Sequence, residues 1–223
     1  MNPVFIIADD HPLFRDAISQ AILGFMPDCE LKAVGDLEEL RALLKELGSA
    51  DLVMLDLAMP GTSGVSGIIK VRAEFPDSPI VVVSATEDPA TIKRCLDLGV
   101  SGFIPKSSSS GEIQEAIENI QRGEIWIPPN IDLDETVDAE TRVLIEKLNS
   151  LTPQQMRVLA MLGEGLLNKQ IAYELGVSEA TIKAHVSAVL LKLEVDSRTQ
   201  AVIIMNRINA GFPNTQLHGA VEN

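Results

Sequence analysis

Apolar residues in the first 122 positions fall into short runs, unbroken except at Lys32: Val4–Ala8, Leu31–Val34, Leu52–Leu55, Ile80–Val83 and Phe103–Ile104. Between the runs, apolar residues recur at helical spacing near 13–24, 37–47, 64–74, 88–98 and 110–122. Unbroken rather than alternating strands imply burial on both faces, as in a parallel sheet covered by helices. Five such strand–helix units predict a doubly wound α/β domain with a five-stranded parallel sheet over residues 1–122.

The period then changes. After the turn-rich Trp126-Ile127-Pro128-Pro129-Asn130, acids run from Asp132 to Glu140, and one short helical stretch ends near Leu148. Residues 123–148 read as an acidic linker. From Thr152 no strand pattern remains. Thr152 before Pro153 supplies an N-cap and a first-turn proline, predicting a helix to about Gly163. Further helices fit 168–175, 179–193 and 198–210, giving a small all-α domain over 149–212. A frayed tail is expected at 213–223. The only low-complexity patch is Ser107–Ser110.

Charge sharpens this division. The chain of 223 residues carries a net −14, which argues against a nucleic-acid partner until its distribution is considered. Residues 146–212 hold seven Lys/Arg and six Asp/Glu, a local balance of +1. The acid lies in the N-terminal part and the linker, so only the C-terminal part can approach phosphates without strong repulsion. No apolar run reaches the roughly 18 residues of a membrane span. The opening MNPVFIIADDHP reads as a short buried strand rather than a secretory leader, so a cytoplasmic location is expected. Cys29 and Cys95 lack metal-ligand or redox spacing and are expected to be buried free thiols.

In an open parallel sheet, ligands sit at the carboxyl ends of the strands. Asp9 and Asp10 end the first strand, Asp56 the third and Ser84 the fourth, while Lys106 follows the fifth. Three carboxylates crowded at one edge demand a cation, and an oxygen-rich site of this kind suits Mg²⁺. A carboxylate can attack phosphorus to form an acyl phosphate, with the metal, an ammonium and a hydroxyl stabilising the equatorial oxygens.

These residues stand in ADDHP, LDLAMPGTSG, Ser84-Ala85 and GFIPK, a set that resembles the signature of response-regulator receiver domains over residues 1–122. The resemblance implies a flavodoxin-like receiver in which Asp56 accepts a phosphoryl group from a histidine kinase. It further implies that Asp10, Asp56 and the carbonyl of Ala58 bind Mg²⁺ directly, with Asp9 acting largely through water. Lys106 would contact the phosphoryl oxygens. Ser84 would swing toward them, and Phe103 matches the aromatic switch position that follows. Pro60-Gly61 and Gly64 shape the loop after Asp56, where close approach to a phosphate needs backbone freedom. His11 reads as a helix-start residue rather than a ligand, because Mg²⁺ prefers oxygen. Phosphatases of the haloacid dehalogenase type also use an aspartate nucleophile and Mg²⁺, with a second aspartate two residues on as general acid. Here that position is Ala58, so the phosphoryl group is expected to be held as a signal, and the chain is not expected to be an enzyme.

In the C-terminal part, 168–175, Gly176 and a Ser178-capped second helix have helix–turn–helix character. Ile182, Val186, Val189, Leu190 and Leu193 share one face of that second helix at about 100° per residue. The opposite face shows Thr181, Ala184, Ser187, Ala188 and Leu191, flanked by Lys183. Small residues there allow close entry to a major groove. The string LTPQQMRVLAMLGEGLLNKQIAYELGVSEATIKAHVSAVLLKL…SRTQAV resembles the LuxR/FixJ/NarL family of DNA-binding domains across 151–202. That resemblance implies groove contacts from Lys183, Ala184 and Ser187. Thr181, Lys169 and Arg198 would touch phosphates or fix the helix, and the last helix would form a dimer contact on paired half-sites of double-stranded DNA. Leu191 stands where a basic residue is common, and Glu194 and Asp196 add acid, so modest and salt-sensitive binding is expected. The expected function is a two-component regulator of transcription acting as a homodimer on DNA. A receiver that signals through protein contacts, with a weakened DNA-binding domain, is the alternative that the exposed Leu191 favours.

Overall fold

A computed structural model describes residues 2–62, 64–131, 133 and 139–209. The predicted acids at 132 and 134–138 and the predicted tail lie outside the described residues. Five strands, β1 (Val4–Ala8), β2 (Glu30–Val34), β3 (Leu52–Asp56), β4 (Ile80–Ser84) and β5 (Gly102–Pro105), form one sheet in the order β2-β1-β3-β4-β5. All neighbours are parallel. Helices α1 (Pro12–Phe25), α2 (Leu37–Leu47), α3 (Ser66–Glu74), α4 (Pro89–Asp97) and α5 (Ser110–Gln121) connect and follow the strands.

The two-residue period of a strand sends successive side chains to opposite faces. Phe5 and Ile7 of β1 therefore join Ile18, Ile22, Ile113 and Ile117 from α1 and α5 in one buried layer. Ile6 and Ala8 join Leu40, Ile68 and Ile92 from α2, α3 and α4 in the other. Both faces being covered is the physical reason for the apolar runs of β1, β3, β4 and β5, whereas the edge strand β2 is buried only at Val34 and carries Lys32. The helix starts are chemically marked. Asp36 accepts from the Glu39 amide at 2.8 Å to open α2, Asp88 caps α4 by accepting from the Thr91 amide, and Ser109 with Glu112 forms a capping box on α5. Cys29 and Cys95 are buried and free, and burial raises both thiols above their ordinary range.

The segment after α5, part of the stretch read from sequence as linker, begins on the sheet. Trp126 forms a parallel bridge with Gly102, its amide donates to the Ser101 carbonyl at 3.1 Å, and its carbonyl accepts from the Phe103 amide at 3.2 Å. Its indole is buried among the α1/α5 layer. A further helix, α6 (Ala139–Asn149), then leads to α7 (Pro153–Gly163), α8 (Asn168–Leu175), α9 (Glu179–Leu193) and α10 (Arg198–Asn209). Thr152 and Gln155 form a capping box on α7, and Ser178 caps α9. Gly176 ends α8 in the left-handed region, φ 66°, where glycine carries no Cβ penalty. Val158, Leu162, Ile171, Ala172 and Ile182 lock α7, α8 and α9 together.

The two parts touch. α7 packs along α3. Lys70 of α3 pairs with Glu164 at the end of α7 at 2.8 Å, and the Asn149 side-chain amide donates to the Asp97 carbonyl of α4 at 2.7 Å. No helix among the described residues is long and apolar enough to cross a membrane.

Candidate phosphorylation site and nucleic-acid interface

Parallel register brings the strand ends to one edge. Ala8 pairs with Leu55, Asp56 with Val83 and Ser84 with Pro105, so Asp9, Asp56, Ser84 and Lys106 emerge side by side. The Lys106 root is fixed by its amide, which donates to the Ser84 carbonyl at 2.7 Å. Its ammonium lies 2.6 Å from Asp9 Oδ2 and 2.9 Å from Asp56 Oδ2. Asp9 and Asp56 are each 1% exposed. The amide of Ala58 donates to Asp56 Oδ1 at 3.1 Å, from the loop that turns at Gly61, φ 83°.

Burial pushes Asp56 above its ordinary range, against the opposing pull of Lys106 and the Ala58 amide. For Lys106, burial pulls the ammonium down, but the bonds to Asp9 and Asp56 outweigh it and hold the group above its ordinary range. A buried carboxylate beside a second carboxylate, one lysine serving both, is a site short of positive charge.

Asp9, Asp10, His11 and Asp56 each place a potential ligand atom within 4.8 Å of the others. Asp9 Oδ2 and Asp10 Oδ1 are buried without a well-aligned hydrogen bond, despite the nearby Lys106 and His11. Buried carboxylate oxygens of that kind retain capacity for a hard cation, so the donor set fits a divalent ion bound through oxygen. His11 is closer to this cluster than the sequence implied. It occupies the N-cap of α1 with no side-chain cap bond, and its Nδ1 stands 2.8 Å from Asp10 Oδ1 and 3.2 Å from Asp9 Oδ1.

The expected switch residues are arranged less tightly. Ser84 is buried, and its hydroxyl accepts from the Thr86 amide at 3.3 Å; among the described residues it makes no hydrogen bond to Asp56. Phe103 is fully buried, in the layer shared with Ile92 and Cys95. A residue that sequence reasoning missed is Phe14, whose ring centroid lies 4.8 Å from the Lys106 ammonium. A phenylalanine early in an amphipathic helix carries no mark separating a site wall from ordinary core.

In the helical part, Ile182, Val189 and Leu193 of α9 are buried, and Val186 and Leu190 half-buried. The opposite face is open: Thr181, Lys183, Ala184, Ser187 and Leu191 are exposed, Leu191 at 79%. Lys169 is exposed on α8. Two of the expected cationic contacts are partly committed. Lys183 pairs with Glu179 one turn earlier at 3.0 Å, and half-buried Arg198 donates to the Leu166 carbonyl, tying α10 to the loop before α8. Thr181 shares a 2.8 Å hydroxyl contact with the capping Ser178. Glu194, read as a repulsive charge, closes α9 at φ 55° and pairs with Lys147 at 2.8 Å. His185 is half-buried, as a packing residue would be.

Comparisons with known proteins agree with both halves. Residues 5–118 match the response regulator receiver domain family, and 149–205 match the bacterial regulatory proteins of the luxR family. The glycerol metabolism activator of Pseudomonas putida is 40% identical over 204 residues, covering 89% of this chain and 92% of that protein. The transcriptional regulatory protein DegU of Brevibacillus brevis is 31% identical over 214 residues, covering 89% of this chain and 90% of that protein. A solved RcsB–DNA complex superposes with a TM-score of 0.55 at 26% identity, covering 92% of this chain and 98% of that one. The chain belongs to the LuxR-type response regulators, DNA-binding regulators of transcription that join a receiver domain to a luxR-family helix–turn–helix.

Proposed function

We propose that Asp56 is the phosphoacceptor through which a histidine kinase controls DNA occupancy by α9. The observation that carries this reading is a buried carboxylate at the end of β3, 2.9 Å from Lys106 and clustered within 4.8 Å with Asp9, Asp10 and His11. An Asp56 oxygen attacks the phosphorus of a phosphohistidine. The P–O bond forms as the P–N bond breaks, and the electron pair returns to the donor imidazole. Lys106 shifts from Asp56 to a phosphoryl oxygen, and Ser84 turns from the Thr86 amide toward another. Asp10, Asp56 and the Ala58 carbonyl would hold Mg²⁺ directly, with Asp9 acting largely through water, and the ion would supply the positive charge the site lacks. Ala58 stands where a second acid would be needed for rapid turnover, so the acyl phosphate serves as a signal rather than an enzymatic intermediate.

On the output side, two copies meet through α10, and their α9 helices enter the major groove at paired half-sites. Lys183, Ala184 and Ser187 face the base edges, while Lys169 and Thr181 touch phosphates. Arg198 acts by anchoring α10. Residues 1–122 and 149–212 act as the receiver and effector units, with Trp126 extending the receiver edge, and the protein works in the cytoplasm. The RcsB–DNA complex among the similar structures supports this docking. The 79% exposure of Leu191 favours a second reading, in which the effector unit engages a protein instead.

A gel-shift titration against genomic fragments, with and without a small phosphodonor, separates the two. Retarded fragments that tighten with the phosphodonor in wild type, and do not in Asp56→Asn, are expected. No retarded fragment in either condition sinks the DNA reading. Phosphodonor-dependent tightening that survives in Asp56→Asn sinks the assignment of the acceptor.

A further inference from the structure

Lys106 is asked to do two incompatible things with a flexible stem. It must neutralise Asp56 before transfer and follow the charge onto the phosphoryl group afterwards. A lysine head on four methylenes has no fixed direction of its own, unlike the planar fork of an arginine. Its backbone root is pinned by the hydrogen bond that its amide donates to the Ser84 carbonyl, which leaves the ammonium to be placed by other groups.

Three groups fix where the ammonium stands: Asp9 Oδ2 at 2.6 Å, Asp56 Oδ2 at 2.9 Å, and the Phe14 ring with its centroid at 4.8 Å. The two carboxylates cannot hold it through the reaction. Asp56 becomes an acyl phosphate, and Asp9 belongs to the cluster that fits a divalent cation. Phe14 alone keeps the same charge and chemistry throughout. It is half-buried on the first turn of α1 and packs against the layer beneath β1, so the ring itself is braced. Helical side chains reach back toward the N-terminus, which lays the ring over the end of β1 rather than along α1. A phenyl face attracts an ammonium within about 6 Å of its centroid, and more strongly where water is excluded. Helix propensity does not ask for an aromatic here, since leucine favours a helix better than phenylalanine.

We propose that Phe14 is a positioning residue for phosphoryl acceptance, holding the Lys106 ammonium at Asp56 by a cation–π contact that outlasts the carboxylate contacts. This rests on Asp56 being the acceptor. Phe14 touches neither the donor nor the reacting oxygens; it acts through Lys106.

The test uses the full chain with Mg²⁺ and phosphoramidate, a donor with the same P–N bond, and reads initial phosphorylation on phosphate-affinity gels. Phe14→Leu is expected to slow labelling roughly 3- to 10-fold, with Phe14→Trp restoring it to within about twofold. In a Lys106→Met background, Phe14→Leu should cost nothing further, because the contact it removes is already gone. Replacing Phe14 with phenylalanines of rising fluorine content, which preserve shape while draining the ring face, should lower the rate in steps. That series decides the question even if Phe14→Leu folds poorly. A flat fluorine series, a Phe14→Leu penalty that persists without Lys106, or no recovery in Phe14→Trp overturns the proposal. Absence of labelling in wild type, or labelling retained in Asp56→Asn, overturns the acceptor assignment and this proposal with it. Labelling that is Asp56-dependent yet indifferent to Phe14 overturns this proposal alone.

Discussion

Leu167 occupies a position whose chemistry is written in the backbone around it. It has the extended φ and ψ of an N-cap, −76° and 156°, and its amide donates to Gln170 Oε1 at 2.7 Å, half of a capping box. The other half needs a side-chain acceptor, and leucine has none, while its apolar chain is 63% exposed. Leu167→Ser is therefore expected to stabilise the effector unit by about 0.5–1 kcal/mol, seen as a rise of roughly 2–8 °C in its unfolding midpoint. An unchanged or lower midpoint would show that the leucine earns its place through a contact other than capping. Leu191 poses the matching question for binding. It is 79% exposed on the open face of α9, where Lys183 is partly neutralised by Glu179. Leu191→Arg adds one cation at the phosphate surface, so the slope of log affinity against log salt should steepen by about 0.9, with tighter binding at low salt. An unaltered slope in a salt-titrated gel shift would place Leu191 away from the duplex.

At the level of elements, what could be read in advance depended on whether the cause was local. Four of the strands were legible because burial on both faces forces apolar runs, with β2 a Lys32-broken run at the edge, and α7 was legible because Thr152 and Pro153 stand at its start, α2 from its helical spacing alone. Asp56 and Lys106 were legible together because parallel strands bring their carboxyl ends to one edge. Trp126 was not, since one residue pairing with a strand more than twenty positions earlier has no period to detect. The end of the receiver therefore seemed to be α5, although Trp126 covers the outer edge of β5. The α3–α7 contact was hidden for a related reason. The buried Ile68, Ile69 and Val71 of α3 explain themselves equally well by the sheet alone. The Trp126 pairing gives Gly102 a reason to be glycine: a Cβ there would sit 2.9 Å from the Trp126 carbonyl oxygen. Gly102→Ala is expected to cost about 1–3 kcal/mol. Trp126, 4% exposed, is the chain's single tryptophan, so its emission should shift to the red as it leaves β5. A destabilised variant with unshifted emission would mean that the methyl is absorbed elsewhere, against the Ile120 side chain that lies next nearest.

Across the whole molecule, the open face of α9 and the packing of α7 on α3 bear on how a phosphoryl group could govern DNA occupancy. The expected groove residues are already exposed, so the receiver does not cover them directly; it touches the unit that carries them through α7. The loop from Asp56 leads into α3, which packs on α7, so one loop and one helix contact link Asp56 to the helical unit. At that seam lies a cavity of about 260 Å³ lined by Glu38, Glu74, Glu164 and Glu174 together with Arg41, Lys70 and Arg157. Four acids face three cations there, so removing one cation and adding an acid changes the balance sharply. Lys70→Glu breaks the 2.8 Å pair with Glu164 and sets like charges against each other across the seam. The seam should loosen, with faster limited proteolysis between the units. If the contact restrains dimer formation, unphosphorylated DNA binding should also strengthen several-fold. Adding Glu164→Lys restores an opposite pair and should return both readouts toward wild type, which a general loss of stability would not do. Faster proteolysis without stronger binding would leave the seam a structural joint and move the control of DNA occupancy to the α10 contact between copies. If neither readout changes, the polar part of the seam is dispensable and its apolar packing alone joins the two units.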